Sequence, residues 1–249
     1  MTPLNKKGYR IIFLVTVIFG VYFETIVFFY FQSIRISKIL IDDFRVIAAL
    51  RKNPDYKSIN EGLSRIKGIK SVKFIEQKTT LEKIEKEDKE LYLSIKSMAS
   101  NPVPEIVEIE IYEEAIGNMD ILIEDISKVK DIIDIRYKPD EAIAIMHLMF
   151  YSKLLFLVIG ATILIVGVMV FAGAAYVGFS NFFNSVRESF KWFLNGMFGA
   201  LVSVIFIYLA VYPVKYISQV WRWPEQMWHV ITLLFGGFMG WVLYQWKKN

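Results

Sequence analysis

The chain has 249 residues, 55% hydrophobic and only 22% charged, with a mean hydropathy of +0.40; that composition fits neither a soluble globular domain nor a disordered chain. It contains no cysteine, which excludes disulfide and thiol chemistry. The formal charge of +4 is unevenly placed: residues 33–150 hold 19 basic and 22 acidic side chains, net −3, and the remainder holds 10 and 3, net +7. The pattern is that of a membrane protein with one large water-exposed insert.

Residues 1–10 carry Lys6, Lys7 and Arg10 ahead of an apolar run at 11–32. At about 1.5 Å per residue this run is long enough to cross a bilayer core. It is too long for a signal-peptide core and lacks a small-x-small cleavage site, so it reads as an uncleaved anchor. Glu24 lies inside it. A carboxylate at that depth costs on the order of 2.5–3.5 kcal/mol on insertion scales, so it is expected to face other helices. It is read either as a hydrogen-bonded packing residue or as a tie to His229 or Thr162.

The insert, 33–152, repeats itself at an offset of 63 residues. Ser64-Arg65-Ile66-Lys67 recurs as Ser127-Lys128-Val129-Lys130. The helical stripe Ile59, Leu63, Ile66 returns as Leu122, Ile126, Val129, and the alternating Val72-Lys73-Phe74 returns as Ile135-Arg136-Tyr137. Phe44, Val46 and Ala48 map onto Val107, Ile109 and Ile111. Each copy therefore reads strand–helix–strand. Two such units side by side give a four-stranded sheet with two helices on one face, a ferredoxin-like α+β domain with Phe74 and Tyr137 in its core. Its simplest role is an interaction or force-bearing module.

Residues 76–106 interrupt the repeat. Thr80 is expected to cap one helix running to about Met98, with Leu81, Ile84, Leu91, Ile95 and Met98 on one stripe and Glu82–Lys86 and Glu85–Lys89 on the wet face. Pro102 and Pro104 end it. The stripe either covers the sheet or, through Leu91, Tyr92, Ile95 and Met98, is offered to a partner.

Three further spans follow at 153–179, 193–212 and 227–246, joined by a loop at 180–192 and a Pro213/Pro224-bounded loop at 213–226; residues 247–249 close the chain. Lysine and arginine counts favour a cytoplasmic N-terminus, with Arg187, Lys191, Lys247 and Lys248 on the same side and the insert outside. Both termini are then cytoplasmic. Gly196-x-x-Gly199 and Gly236-x-x-x-Gly240 permit close helix approach, within the chain or between copies.

Chemistry is sparse. There is no Walker A loop, no Gly-x-Ser-x-Gly and no His-Glu-x-x-His. His147 and His229 lack metal-ligand spacing, and no basic stripe suits nucleic acid. No catalytic residue, cofactor or metal is assigned, and a non-enzymatic role is expected.

One span, an outer domain of about 118 residues and three spans is a layout that resembles FtsX, the membrane subunit of the bacterial FtsEX cell-division complex. Asn101-Pro102-Val103-Pro104 ahead of 105–111 resembles that family's Asn-Pro-Leu-Pro segment before its second β-α-β unit. Gly68-Ile69-Lys70-Ser71-Val72 and residues 129–135 resemble its paired strand entries. Phe193-Leu194-Asn195-Gly196-Met197-Phe198-Gly199-Ala200 resembles the opening of its third span, with Asn195 where the family has Glu.

The resemblance implies a homodimer in the bacterial cytoplasmic membrane, working with an FtsE-like cytosolic ATPase. It further implies that the insertion recruits or activates a peptidoglycan hydrolase or its activator. The family's ATPase-docking segment between spans two and three is cut short here, leaving Asn184, Arg187, Glu188 and Lys191 as its counterpart. That shortening keeps open an ATPase-independent scaffold, with a permease subunit of a related export ABC system as a third reading.

Overall fold

The computed structural model describes residues 3–98, 102–216, 218 and 220–248. Asn101 of the proline segment and the C-terminal Asn249 lie outside the described residues, as do two positions of the 213–226 loop. The chain divides into two units, Ser37–Leu148 and the pair of segments Met1–Ile36 and Met149–Asn249.

In the first unit the strands β1 (Val46–Leu50), β2 (Ile69–Ile75), β3 (Ile106–Ile111) and β4 (Ile132–Arg136) form one sheet in the order β2-β3-β1-β4. Every neighbouring pair is antiparallel. Helix α2 (Tyr56–Ser64) joins β1 to β2. A 3-10 turn (Glu113–Asn118) and helix α5 (Met119–Ser127) join β3 to β4. Strand periodicity decides which face is dry: Val46, Ala48 and Leu50 are buried, as are Val107, Ile109 and Ile111. Ile59 and Leu63 of α2 and Leu122 and Ile126 of α5 are buried as well.

The two halves turn from helix to strand in the same way. Helices α2 and α5 begin and end 63 residues apart, and so do the two residues with positive φ that precede the second strands, Gly68 (φ 108) and Asp131 (φ 70). A left-handed residue there lets the chain leave the helix and enter the sheet at once; Asp is among the few side chains that tolerate it. Phe74 and Tyr137 differ from the sequence expectation, being only half buried. Both lie at the margin of the sheet, Phe74 on the edge strand β2 and Tyr137 just past the edge strand β4, where no further strand flanks the ring. Phe74 packs edge-on to Tyr56 at 5.2 Å and Tyr137 against Phe44 at 6.4 Å.

The insertion is two helices rather than one, α3 (Gln77–Glu87) and α4 (Lys89–Lys96). Asp88 breaks them: its backbone is extended (φ −144, ψ 94) and its side chain accepts from the Leu91 amide, capping α4. Aspartate competes for backbone donors and so favours caps over helix interiors. Thr80 is not the cap of α3, because its hydroxyl donates back to the Glu76 carbonyl at 3.5 Å. Among the described residues Lys83 reaches Glu108 at 3.9 Å instead of the expected i, i+4 pairs forming.

The second unit contains helices long and apolar enough to cross a membrane: α1 (Pro3–Asp43), α6 (Pro139–Val177), α8 (Phe190–Val211) and α9 (Gln226–Lys248). Helices α1 and α6 are much longer than their apolar runs and continue into the sheet unit's part of the chain. A short helix, α7 (Phe182–Glu188), lies between α6 and α8. The span glycines are used inside the chain: a Cβ on Gly240 would lie 2.5 Å from the Trp192 carbonyl and 3.2 Å from the Gly196 Cα, so α8 and α9 touch backbone to backbone.

Candidate functional site

Three places concentrate side chains that packing alone does not explain. The first is the corner at α7. Its inner side is fastened: Ser185 Oγ accepts from Trp241 Nε1 at 3.3 Å and from Gln245 Nε2 at 2.9 Å. Phe182 stands edge-on to Trp241, whose ring is fully buried, at 5.1 Å. Ser189 closes the corner by donating to the Ser185 carbonyl and is buried. A seven-residue helix is too short to hold itself in water, so these contacts are what make it a helix.

The outer side of the same corner is open. Asn184, Arg187, Glu188 and Lys191 are all exposed, and none takes part in an ion pair among the described residues. Phe183 stands beside them with 81% of its surface exposed. Nearby, the Tyr9 hydroxyl donates to the Lys191 carbonyl and Asn195 donates to the Tyr9 carbonyl at 2.8 Å, joining the start of α1 to the start of α8. Asn195 is buried, so the position singled out at the head of the third span is a tie between helices.

The second place is the α3–α4 hairpin. Neither helix has a single buried residue. Tyr92 and Ile95 are half buried, together with Leu81 and Ile84, whereas Leu91 and Met98 are about half exposed. The hairpin's return to the sheet is strapped at two points. Gln77 Nε2 donates to the Val103 carbonyl, and the Tyr56 hydroxyl donates to Glu105 at 2.5 Å. That bond to a carboxylate is the main reason the Tyr56 phenol is raised above its ordinary 10.0, with desolvation and the Glu105 and Glu76 charges adding to it.

The third is inside the membrane unit. Glu24 is 1% exposed and both its oxygens are engaged, Oε2 with His229 Nδ1 at 2.9 Å and Oε1 accepting from Thr232 at 2.5 Å. The expected partner His229 is there; Thr162 is not, because its hydroxyl donates to Val158 one turn back. Thr232 lies one helical turn after Trp228 and three residues after His229, so α9 presents both groups on one face. That i, i+3 spacing was the available signal and was missed. Nothing local announces the Ser185, Trp241 and Gln245 contacts of α7, which span 56 and 60 residues. Among the described residues no group of three or more His, Cys, Asp or Glu could hold a metal ion.

No protein-family model matches the chain and no curated protein matches it. Among solved structures it is similar to the extracellular domain 1 of FtsX from Streptococcus pneumoniae, crystallised in complex with undecyl-maltoside. The identity is 17% over 38% of this chain and 94% of that one, with a TM-score of 0.32. It is also similar to the solution structure of the large extracellular loop of FtsX in Streptococcus pneumoniae, at 18% identity over 38% of this chain and 98% of that one, TM-score 0.31.

Proposed function

We propose that this chain is an FtsX-like cell-division membrane subunit that carries a signal across the membrane to a peptidoglycan hydrolase or its activator. In this reading both termini and the α7 corner face the cytosol and the sheet unit, a duplicated ferredoxin-like domain, faces outward. The α3–α4 hairpin is the partner lobe, through Leu91, Tyr92, Ile95 and Met98. An FtsE-like ATPase docks on Asn184, Arg187, Glu188 and Lys191, and the subunit works as a homodimer.

The observation that carries the proposal is the order of parts. A single apolar helix precedes a sheet unit of two β-α-β halves with a helical hairpin between them, and the remaining apolar helices follow, two of them joined by a pinned polar corner. A lobe without buried residues can be shaped by its partner alone. A corner fastened to α9 can pass displacement into a span rather than absorb it.

One feature favours a second reading. At seven residues α7 offers an ATPase little surface, which suits a scaffold that binds its outer partner without being driven. Co-purification of the full chain with the cognate FtsE-like ATPase separates the two. The coupled reading expects a stable complex that Arg187→Glu with Lys191→Glu abolishes; no complex with the parent chain would leave the scaffold.

A further inference from the structure

A groove of about 450 Å³ lies between α1 and α6, lined by Tyr30, Ile34, Ser152, Lys153, Phe156 and Leu157. That size is in the range of sites for small molecules. Its walls are apolar and open: Phe156 and Leu157 are 59% and 66% exposed, and the Tyr30 ring lies 6.0 Å from that of Phe156. Where α1 and α6 lie in a membrane, such walls face acyl chains.

Lys153 distinguishes this groove from ordinary lipid-facing surface. It is the one charged residue between Glu141 and Arg187, and among the described residues it makes no ion pair or hydrogen bond. A lysine at the end of an apolar stretch brings its ammonium to the headgroup level. The Ser152 hydroxyl donates to the Met149 carbonyl at 2.9 Å, which leaves its oxygen lone pairs for a donor from outside the chain. An unpaired cation beside a free acceptor, at the mouth of an apolar cleft, matches a phosphodiester that carries a hydroxylated headgroup.

We propose that this groove is a binding site for an anionic phospholipid with a polyol headgroup, its phosphate on Lys153, a headgroup hydroxyl on Ser152 and its acyl chains along Tyr30, Ile34, Phe156 and Leu157. The site needs only that α1 and α6 lie in a membrane, whichever proteins the loops engage.

The test is native mass spectrometry of the full chain released from nanodiscs containing equal phosphatidylglycerol and phosphatidylcholine. The parent chain is expected to retain one phosphatidylglycerol in preference to phosphatidylcholine. Lys153→Gln should lower that occupancy about fivefold, the effect of one lysine on an anionic lipid, and Lys153→Arg should keep it. Melting in discs of phosphatidylcholine alone should be the same for Lys153→Gln and the parent. Equal phosphatidylglycerol retention by parent and Lys153→Gln, equal retention of both lipids, or a Lys153→Gln chain already destabilised without phosphatidylglycerol would each overturn the site.

Discussion

The α3–α4 hairpin and the α7 corner are both short helical insertions with exposed polar and apolar groups, yet they are held in opposite ways. The hairpin buries none of its own residues and is held by two straps at its base and by the Lys83–Glu108 pair. The corner keeps four polar side chains free while Ser185, Phe182 and Ser189 fasten its back to a buried tryptophan and to its own turn. An element held by a few polar contacts, with no buried residue of its own, can change sequence or conformation at little cost to the rest. An element pinned along its length moves only with the helix that pins it. The first arrangement suits recognition, the second transmission.

The largest effect expected from that contrast is at Trp241. Replacing this fully buried ring by Ala removes the floor of the corner and should cost about 3–5 kcal/mol, as for buried aromatics elsewhere. The full chain should melt clearly lower in detergent; an unchanged melting temperature would mean that α7 is not held from behind. Ser185→Ala is next. It strands the Trp241 and Gln245 donors, and an unsatisfied buried donor costs about 1–3 kcal/mol. If Ser185→Ala melts like the parent, those two bonds do not fasten the corner.

Changes on the hairpin should be nearly silent by comparison. Leu91→Ser with Met98→Ser alters only exposed surface and should stay within about 0.5 kcal/mol. Partner capture should fail all the same, and a matching fall in melting temperature would turn the hairpin into ordinary core. The smallest effect is at its base. The bond to Glu105 raises the Tyr56 phenol, so whatever that bond contributes is complete below pH ~10 and is lost as pH climbs through the folded value. Absorbance titration should show late tyrosine ionisation, and Tyr56→Phe should reduce it by one ring. A Tyr56→Phe chain with the same late titration would assign the shift to another ring.

Much of this was legible in the sequence wherever structure follows a local period. The apolar helices announce themselves by hydropathy, and the alternation at 46–50 and 107–111 marks residues that are buried at every second position. The repeated Ser64-Arg65-Ile66-Lys67 and Ser127-Lys128-Val129-Lys130 run directly into the two helix-to-strand turns, at Gly68 and Asp131. What was not legible depends on single side chains acting over distance. Asp88 sits in a run of alternating charge that reads as continuous helix, and only its capping bond reveals the break. Depth along α1 pointed Glu24 toward a polar partner, and Thr232, three residues after His229 on α9, was within reach of that spacing; what no local pattern shows is that Thr162 of α6 turns back to the Val158 carbonyl instead.

In the proposed function the pinned corner passes motion to the lobe. The most direct test is hydrogen–deuterium exchange across residues 77–96 in the full chain, reconstituted with the FtsE-like ATPase proposed to dock on it, with and without ATP. ATP is expected to change exchange in α3 and α4, and Arg187→Glu with Lys191→Glu to abolish the change while leaving exchange in the β1–β3 core as in the parent. A stable ATPase complex in which exchange at 77–96 is the same with and without nucleotide would contradict it.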